Sequence, residues 1–167
     1  MNHKNFLTLA ALCFFLPALS VFTQETESKM AFGYGIDFNM NSQNGMGGGA
    51  VFCFDYNLPA SFAMGVSTAI SGGSYGDGTL ELTAMGRRYF FSEGRHLGFF
   101  AQADVGTSII ILGKTELAIK REWDPKFHIG VRSGYRFHLG RLFYVEPYGR
   151  FGYPFAMGIG VMGGLRF

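Results

Sequence analysis

The chain closes on Phe155-Ala-Met-Gly-Ile-Gly-Val-Met-Gly-Gly-Leu-Arg-Phe167, and the reading of these thirteen residues decides the reading of the rest. Gly158, Gly160 and Gly163 match the dinucleotide fingerprint G-x-G-x-x-G. That motif binds a pyrophosphate only between a strand and a helix, because the free N–H groups at the helix start hold the phosphates. Four residues follow Gly163, too few to build such a helix, so a nucleotide site is not expected. Period two gives another answer. Phe155, Met157, Ile159, Val161, Leu165 and Phe167 fall on one face, while Ala156, Gly158, Gly160, Met162, Gly164 and Arg166 fall on the other. This is a strand with an oily side and a mostly small side.

The same alternation recurs upstream and predicts eight strands. Phe32, Tyr34, Ile36, Phe38 and Met40 oppose Gly33, Gly35, Asp37 and Asn39 in the first. Phe52, Phe54 and Tyr56 oppose Val51, Cys53 and Asp55 in the second, and Phe62, Met64, Val66 and Ile70 oppose Ala63, Gly65, Ser67 and Ala69 in the third. The fourth sets Leu80, Leu82 and Phe90 against Glu81, Thr83, Met85, Arg87 and Tyr89; the fifth sets Phe99, Ala101, Ala103 and Val105 against Phe100, Gln102, Asp104 and Ser108. The sixth is the clearest, with Phe127, Ile129, Val131, Tyr135 and Phe137 against His128, Gly130, Arg132, Arg136 and His138. The seventh sets Val145, Phe151 and Tyr153 against Tyr144, Glu146, Tyr148 and Arg150. Each segment reaches the roughly 9 to 11 residues that a tilted strand needs to cross a bilayer. Tight turns at Asn57-Leu58-Pro59, Ser92-Glu93-Gly94 and Leu139-Gly140-Arg141 alternate with mostly longer connections, of which 112–126 is the longest. Short turns on one side and longer loops on the other predict an all-β, eight-stranded antiparallel up-and-down transmembrane barrel with both termini on the short-turn, periplasmic side.

Residues 1–23 read as a secretory signal peptide. Lys4 gives a basic start, the run from Phe6 to Leu19 is almost wholly apolar, and small residues near Ser20 offer a cleavage site between about 20 and 23. The remainder, 24–167, is of a length that suits one barrel domain. Removal of the leader takes one of the 14 basic residues and none of the 12 acidic ones, leaving a nearly balanced chain with no polyanion signature, so no nucleic-acid partner is expected. It also takes Cys13 and leaves Cys53 without a partner for a disulfide.

A two-faced strand also suits a soluble barrel, so the polar face has to decide. Nineteen Phe and eight Tyr are too many to fill the bore of an eight-stranded barrel, which is only just wide enough for side chains. The aromatic-rich face is therefore expected to meet lipid, with the face of small and charged residues inside. The inward charges are five against five: Asp37, Asp55, Glu81, Asp104 and Glu146 with Arg87, Arg132, Arg136, Arg150 and Arg166. A paired lumen of this kind is largely plugged, since buried charge requires partners. With a turn about Gly140, Glu146 is expected opposite Gly134, with Arg132 and Arg136 as diagonal neighbours. Pro147, Ser133 and Arg88 fall on the lipid side, Arg88 close enough to a strand end to snorkel and Pro147 as a candidate bulge.

The leader, the eight amphipathic strands, the Tyr144-Val145-Glu146-Pro147-Tyr148 segment and the ending Leu165-Arg166-Phe167 resemble the small outer-membrane β-barrel proteins of the OmpA/OmpX, OmpW and opacity-protein group. The resemblance implies residence in the cell outer membrane, contact with outer-membrane lipid, and a terminal Phe167 read by the barrel-assembly machinery. It implies a structural or surface-interaction role, with an OmpW-like channel for small, including apolar, solutes as the alternative. A soluble lipocalin-like carrier is the third reading, against which stands the lack of an early Gly-x-Trp. Lipid A deacylases share the architecture and use a His and a Ser two apart on a strand. Neither His128 nor His138 has a Ser at that offset, His96 fails the same test, and no catalytic site, metal site or cofactor is expected. The 112–126 connection, with Lys114, Lys120, Arg121 and Trp123, is the candidate surface for an extracellular partner.

Overall fold

The computed structural model describes residues 28–41, 45–73, 78–90, 96–111 and 123–167; the expected leader lies outside the described residues. Eight strands follow one another: β1 Met30–Asn41, β2 Gly45–Leu58, β3 Phe62–Gly73, β4 Gly78–Phe90, β5 Gly98–Ile111, β6 Trp123–Leu139, β7 Phe143–Tyr153 and β8 Phe155–Arg166. Each pairs antiparallel with the next, and β8 returns to β1, so the sheet closes on itself as an up-and-down barrel. Closure leaves no unpaired sheet edge, which is the condition for spanning a bilayer with strands. At the seam, Met30 and Phe167 exchange both backbone hydrogen bonds at 2.9 Å.

Outward and inward positions alternate along the strands, with one break in phase at the start of β8. Phe38, Val66, Leu82, Phe127, Ile129, Val131 and Ile159 are all more than half exposed, whereas Asp55, Glu81, Arg87, Arg136 and Glu146 are at most 4% exposed. The wall is thus the inverse of a water-soluble barrel: oily residues outside, charged and small residues inside.

The short turns are local chemistry. Ala60 and Ser61 both take positive φ between β2 and β3, and Gly140 takes φ 72° in the three residues between β6 and β7. Two glycines permit close approach. A Cβ on Gly35 would strike the Val161 carbonyl and lie 2.7 Å from Met162 Cα, so the β1–β8 seam closes only over a bare backbone. A Cβ on Gly160 would strike the Tyr148 ring, which crosses the bore at that level. Gly160→Ala is accordingly expected to cost about 1–3 kcal/mol in urea unfolding of the membrane-inserted barrel, by overpacking; an unchanged midpoint would show that Tyr148 is not held there.

Four expectations are corrected by the backbone. Phe155, expected on the lipid face, is 3% exposed and points inward. The β1–β8 register shifts between Met40 and Asn41, so that Met40 faces Met157 but Asn41 faces Phe155. The extra residue reverses the phase and turns Ala156 outward. Glu146 does not sit opposite Gly134. The β6–β7 turn is Gly140–Leu142, one residue further than a turn centred on Gly140, and Gly134 pairs with Tyr148. Pro147 makes no bulge: the β6–β7 ladder lapses between the Gly134–Tyr148 and Phe137–Val145 pairs with its register unchanged on either side. Trp123 to Lys126, assigned by sequence to the long connection, open β6, with Trp123 paired to Ile111.

Candidate functional site: the charged lumen

Inward-pointing residues of β2, β4, β5, β6 and β7 build a charged cluster in the half of the bore nearer the termini. Glu146 Oε2 accepts from Arg136 Nε at 2.6 Å and from Arg87 Nη1 at 2.9 Å. Asp55 Oδ2 accepts from Arg136 Nη2 at 3.0 Å and stands 3.8 Å from Arg87 Nη1. Two guanidiniums and two carboxylates thus alternate in a closed, charge-neutral set. Gln102 extends it: its carbonyl oxygen accepts from Arg87 Nε at 2.8 Å and also from Nη2, while its amide donates to Asp104 at 2.6 Å. Arg87 Nη1 donates to Tyr89 Oη at 3.0 Å as well.

A second cluster lies in the other half. Arg150 holds Glu81 with both Nη atoms, at 2.9 and 3.0 Å, in the two-pronged geometry that a planar guanidinium favours. Its Nε is 3.3 Å from Asp37 Oδ2, which also accepts from Tyr148 Oη at 3.0 Å. The arginines are roofed by aromatic rings at cation–π distance. Arg87 lies 4.2 Å from the Phe100 centroid, Arg136 4.1 Å from that of Tyr144, Arg132 4.5 Å from that of Tyr148 and Arg150 3.8 Å from that of Phe155.

Nine of the ten residues of the expected network, Asp37, Asp55, Glu81, Arg87, Asp104, Arg132, Arg136, Glu146 and Arg150, are buried in the bore. Arg166 is not among them; it lies at the end by the turns and donates to the Gly140 carbonyl at 3.0 Å. Glu146 bonds Arg136 and Arg87, and not Arg132, whose Nε and Nη1 are buried without a hydrogen-bond partner. Phe167 is exposed at the seam. Lys114, Lys120 and Arg121 lie outside the described residues, and Trp123 is exposed at the start of β6. Phe100, Tyr144 and Tyr148, which alternation places on the inward face, are buried there. What they cover is not signalled in the sequence, because stacking on Arg87, Arg136 and Arg132 depends on contacts between inward side chains that alternation does not encode.

Two histidine contacts also cross strands in ways that spacing along one strand does not reveal. Ser108 Oγ lies 2.9 Å from His128 Nδ1. The Glu81 carboxylate approaches that same nitrogen at 4.0 Å, and among the described residues no other carboxylate pairs with the ring from its far side, as a nucleophile–base pair requires. At the opposite end His96 Nε2 lies 2.9 Å from both the Leu58 and Phe62 carbonyls, and the His96 carbonyl is 3.2 Å from His138 Nε2. Among the described residues no group of three His, Cys, Asp or Glu side chains is placed to hold a metal ion.

No family model and no curated protein sequence matches the chain. Solved structures do. Neisserial surface protein A superposes with a TM-score of 0.64 at 12% identity, over 86% of this chain and 100% of that one. Ail, the attachment invasion locus protein of Yersinia pestis, solved with the heparin analogue sucrose octasulfate, gives 0.59 at 10% identity, over 85% and 100%. The N-terminal β-barrel domain of Pseudomonas aeruginosa OprF gives 0.56 at 9% identity, over 85% and 100%. At such identities the likeness is one of fold. That fold, together with an oily exterior around a charged bore, gives this chain the architecture of an integral outer-membrane β-barrel.

Proposed function

We propose that this chain resides in the outer membrane as a structural or surface-interaction barrel whose lumen is plugged. The observation that carries this reading is the pair of ion networks across the bore, in which Arg87, Arg136 and Arg150 are each held by a carboxylate and covered by a ring. Such groups leave little room for a solute and lose several hydrogen bonds if they move aside. Contact with an extracellular partner is assigned to 112–126, with Lys114, Lys120, Arg121 and Trp123, and engagement by the assembly machinery to Phe167.

Planar-bilayer recording tests the plug. The barrel is expected to give a flat baseline, and Arg132→Ala with Arg136→Ala to introduce conductance. Discrete steps from the unaltered protein that change in this double variant would instead make it a channel.

A further inference from the structure

Along the eight strands, a single outward position among the described residues carries a charge: Arg88, on β4. It is two residues from the end of that strand, at the end of the barrel where the chain termini and the short turns lie. Its neighbours across the ladder are Phe62 on β3 and Ala101 on β5. The guanidinium carbon stands 5.3 Å from the Phe62 ring centroid and 5.4 Å from that of Phe90. No ion pair with a described carboxylate accompanies these ring contacts.

A lone cation on an oily wall is costly in the acyl region and settles at the headgroup level, its stem along the apolar surface. Two aromatic rings at cation–π distance hold the guanidinium, and with it the N–H fork, against a wall on which Arg88 is exposed. The anion that this fork fits two-pronged, and that a membrane supplies at that depth, is a phosphodiester. We infer that Arg88, with Phe62 and Phe90 beside it, binds the headgroup phosphate of a phospholipid in the leaflet at the terminus-bearing end of the barrel. The inference rests on the membrane-inserted reading above. It adds a discrete lipid site to an otherwise featureless wall and fixes how deep that end sits.

Native mass spectrometry of the barrel in a neutral detergent tests it, with three probes: phosphatidylglycerol, diacylglycerol of the same chains, and inorganic phosphate. Arg88→Gln is expected to weaken phosphatidylglycerol retention about five-fold, near the effect of one basic group at a lipid surface. Diacylglycerol retention should not change, and Lys126→Gln, which removes a cation from the other end, should leave phosphatidylglycerol bound. Equal phosphatidylglycerol retention by Arg88→Gln and the unaltered barrel would overturn the site. So would a parallel loss of diacylglycerol, which would mean recognition of tails, or full displacement by equimolar inorganic phosphate, which would mean a free-anion site. Heat-dependent electrophoretic mobility confirms that each variant is folded. Failure of the membrane reading itself shows separately, as a barrel that stays in solution without detergent.

Discussion

Replacing Glu146 with alanine is expected to cost the barrel about 3–5 kcal/mol of unfolding free energy, the usual penalty for removing one member of a buried ionic set. Glu146 is wholly buried and its Oε2 is the acceptor shared by Arg87 and Arg136. Its loss leaves two guanidiniums to divide Asp55, which reaches Arg136 at 3.0 Å but Arg87 only at 3.8 Å. One buried cation then lacks a close carboxylate, and the desolvation it suffered on folding is no longer offset. The contrast is Lys126 with Asp124, an ion pair at 2.8 Å whose side chains stay 28% and 38% exposed. Lys126→Ala should cost no more than about 1 kcal/mol, because water replaces the lost partner. Urea unfolding in lipid vesicles, followed by the fluorescence of the single Trp123, measures both. Equal, small effects would mean that water already reaches Glu146 and that the bore is open.

Arginine at Val131 is expected to cost about 2–4 kcal/mol, the penalty for that side chain on the lipid face near the bilayer midplane. Val131 stands near the middle of β6, is 57% exposed, and has Ala103 and Phe151 as ladder partners. On a soluble protein, a charge at so exposed a position would change stability by no more than about 0.5 kcal/mol. The two environments therefore predict different outcomes for one substitution. Leu139→Arg supplies the depth control: it is equally exposed but terminates β6, where a charge reaches the interface and costs about 0–1 kcal/mol. A Val131→Arg cost no larger than that of Leu139→Arg would contradict a bilayer around the strand centres.

The wall was legible in the sequence because period two is a local property. Each residue from Phe127 to His138 declares its face by its neighbours, and the structure follows that alternation through β6. What the alternation could not carry was phase across an irregularity. One extra residue against β1 at Asn41 turned Phe155 inward, where it covers Arg150, and nothing in the tripeptide Pro154-Phe155-Ala156 marks it. Partner choice inside the bore was less legible still. It depends on register between strands, and a shift of one residue in the centre of the β6–β7 turn moved Glu146 from Gly134 to Arg136. The link from Arg87 to Glu146 joins residues 59 apart in sequence and exists only because the barrel closes. Aromatic side chains show that alternation, and not residue type, assigns the face. Phe99 and Phe100 are adjacent, yet one faces outward at 44% exposure and the other is fully buried over Arg87, so residue type alone does not assign a face.

The central claim, that the outward face meets acyl chains, is tested most directly by nitroxide labels placed singly at Phe127, Ile129, Val131 and Tyr135 in a Cys53→Ala background, with the barrel in lipid vesicles. Relaxation by oxygen, which concentrates in the bilayer core, should exceed relaxation by a water-soluble nickel chelate at all four sites, most strongly at Ile129 and Val131. Relaxation by the chelate at Val131 equal to or greater than relaxation by oxygen would place that wall in water and contradict the account.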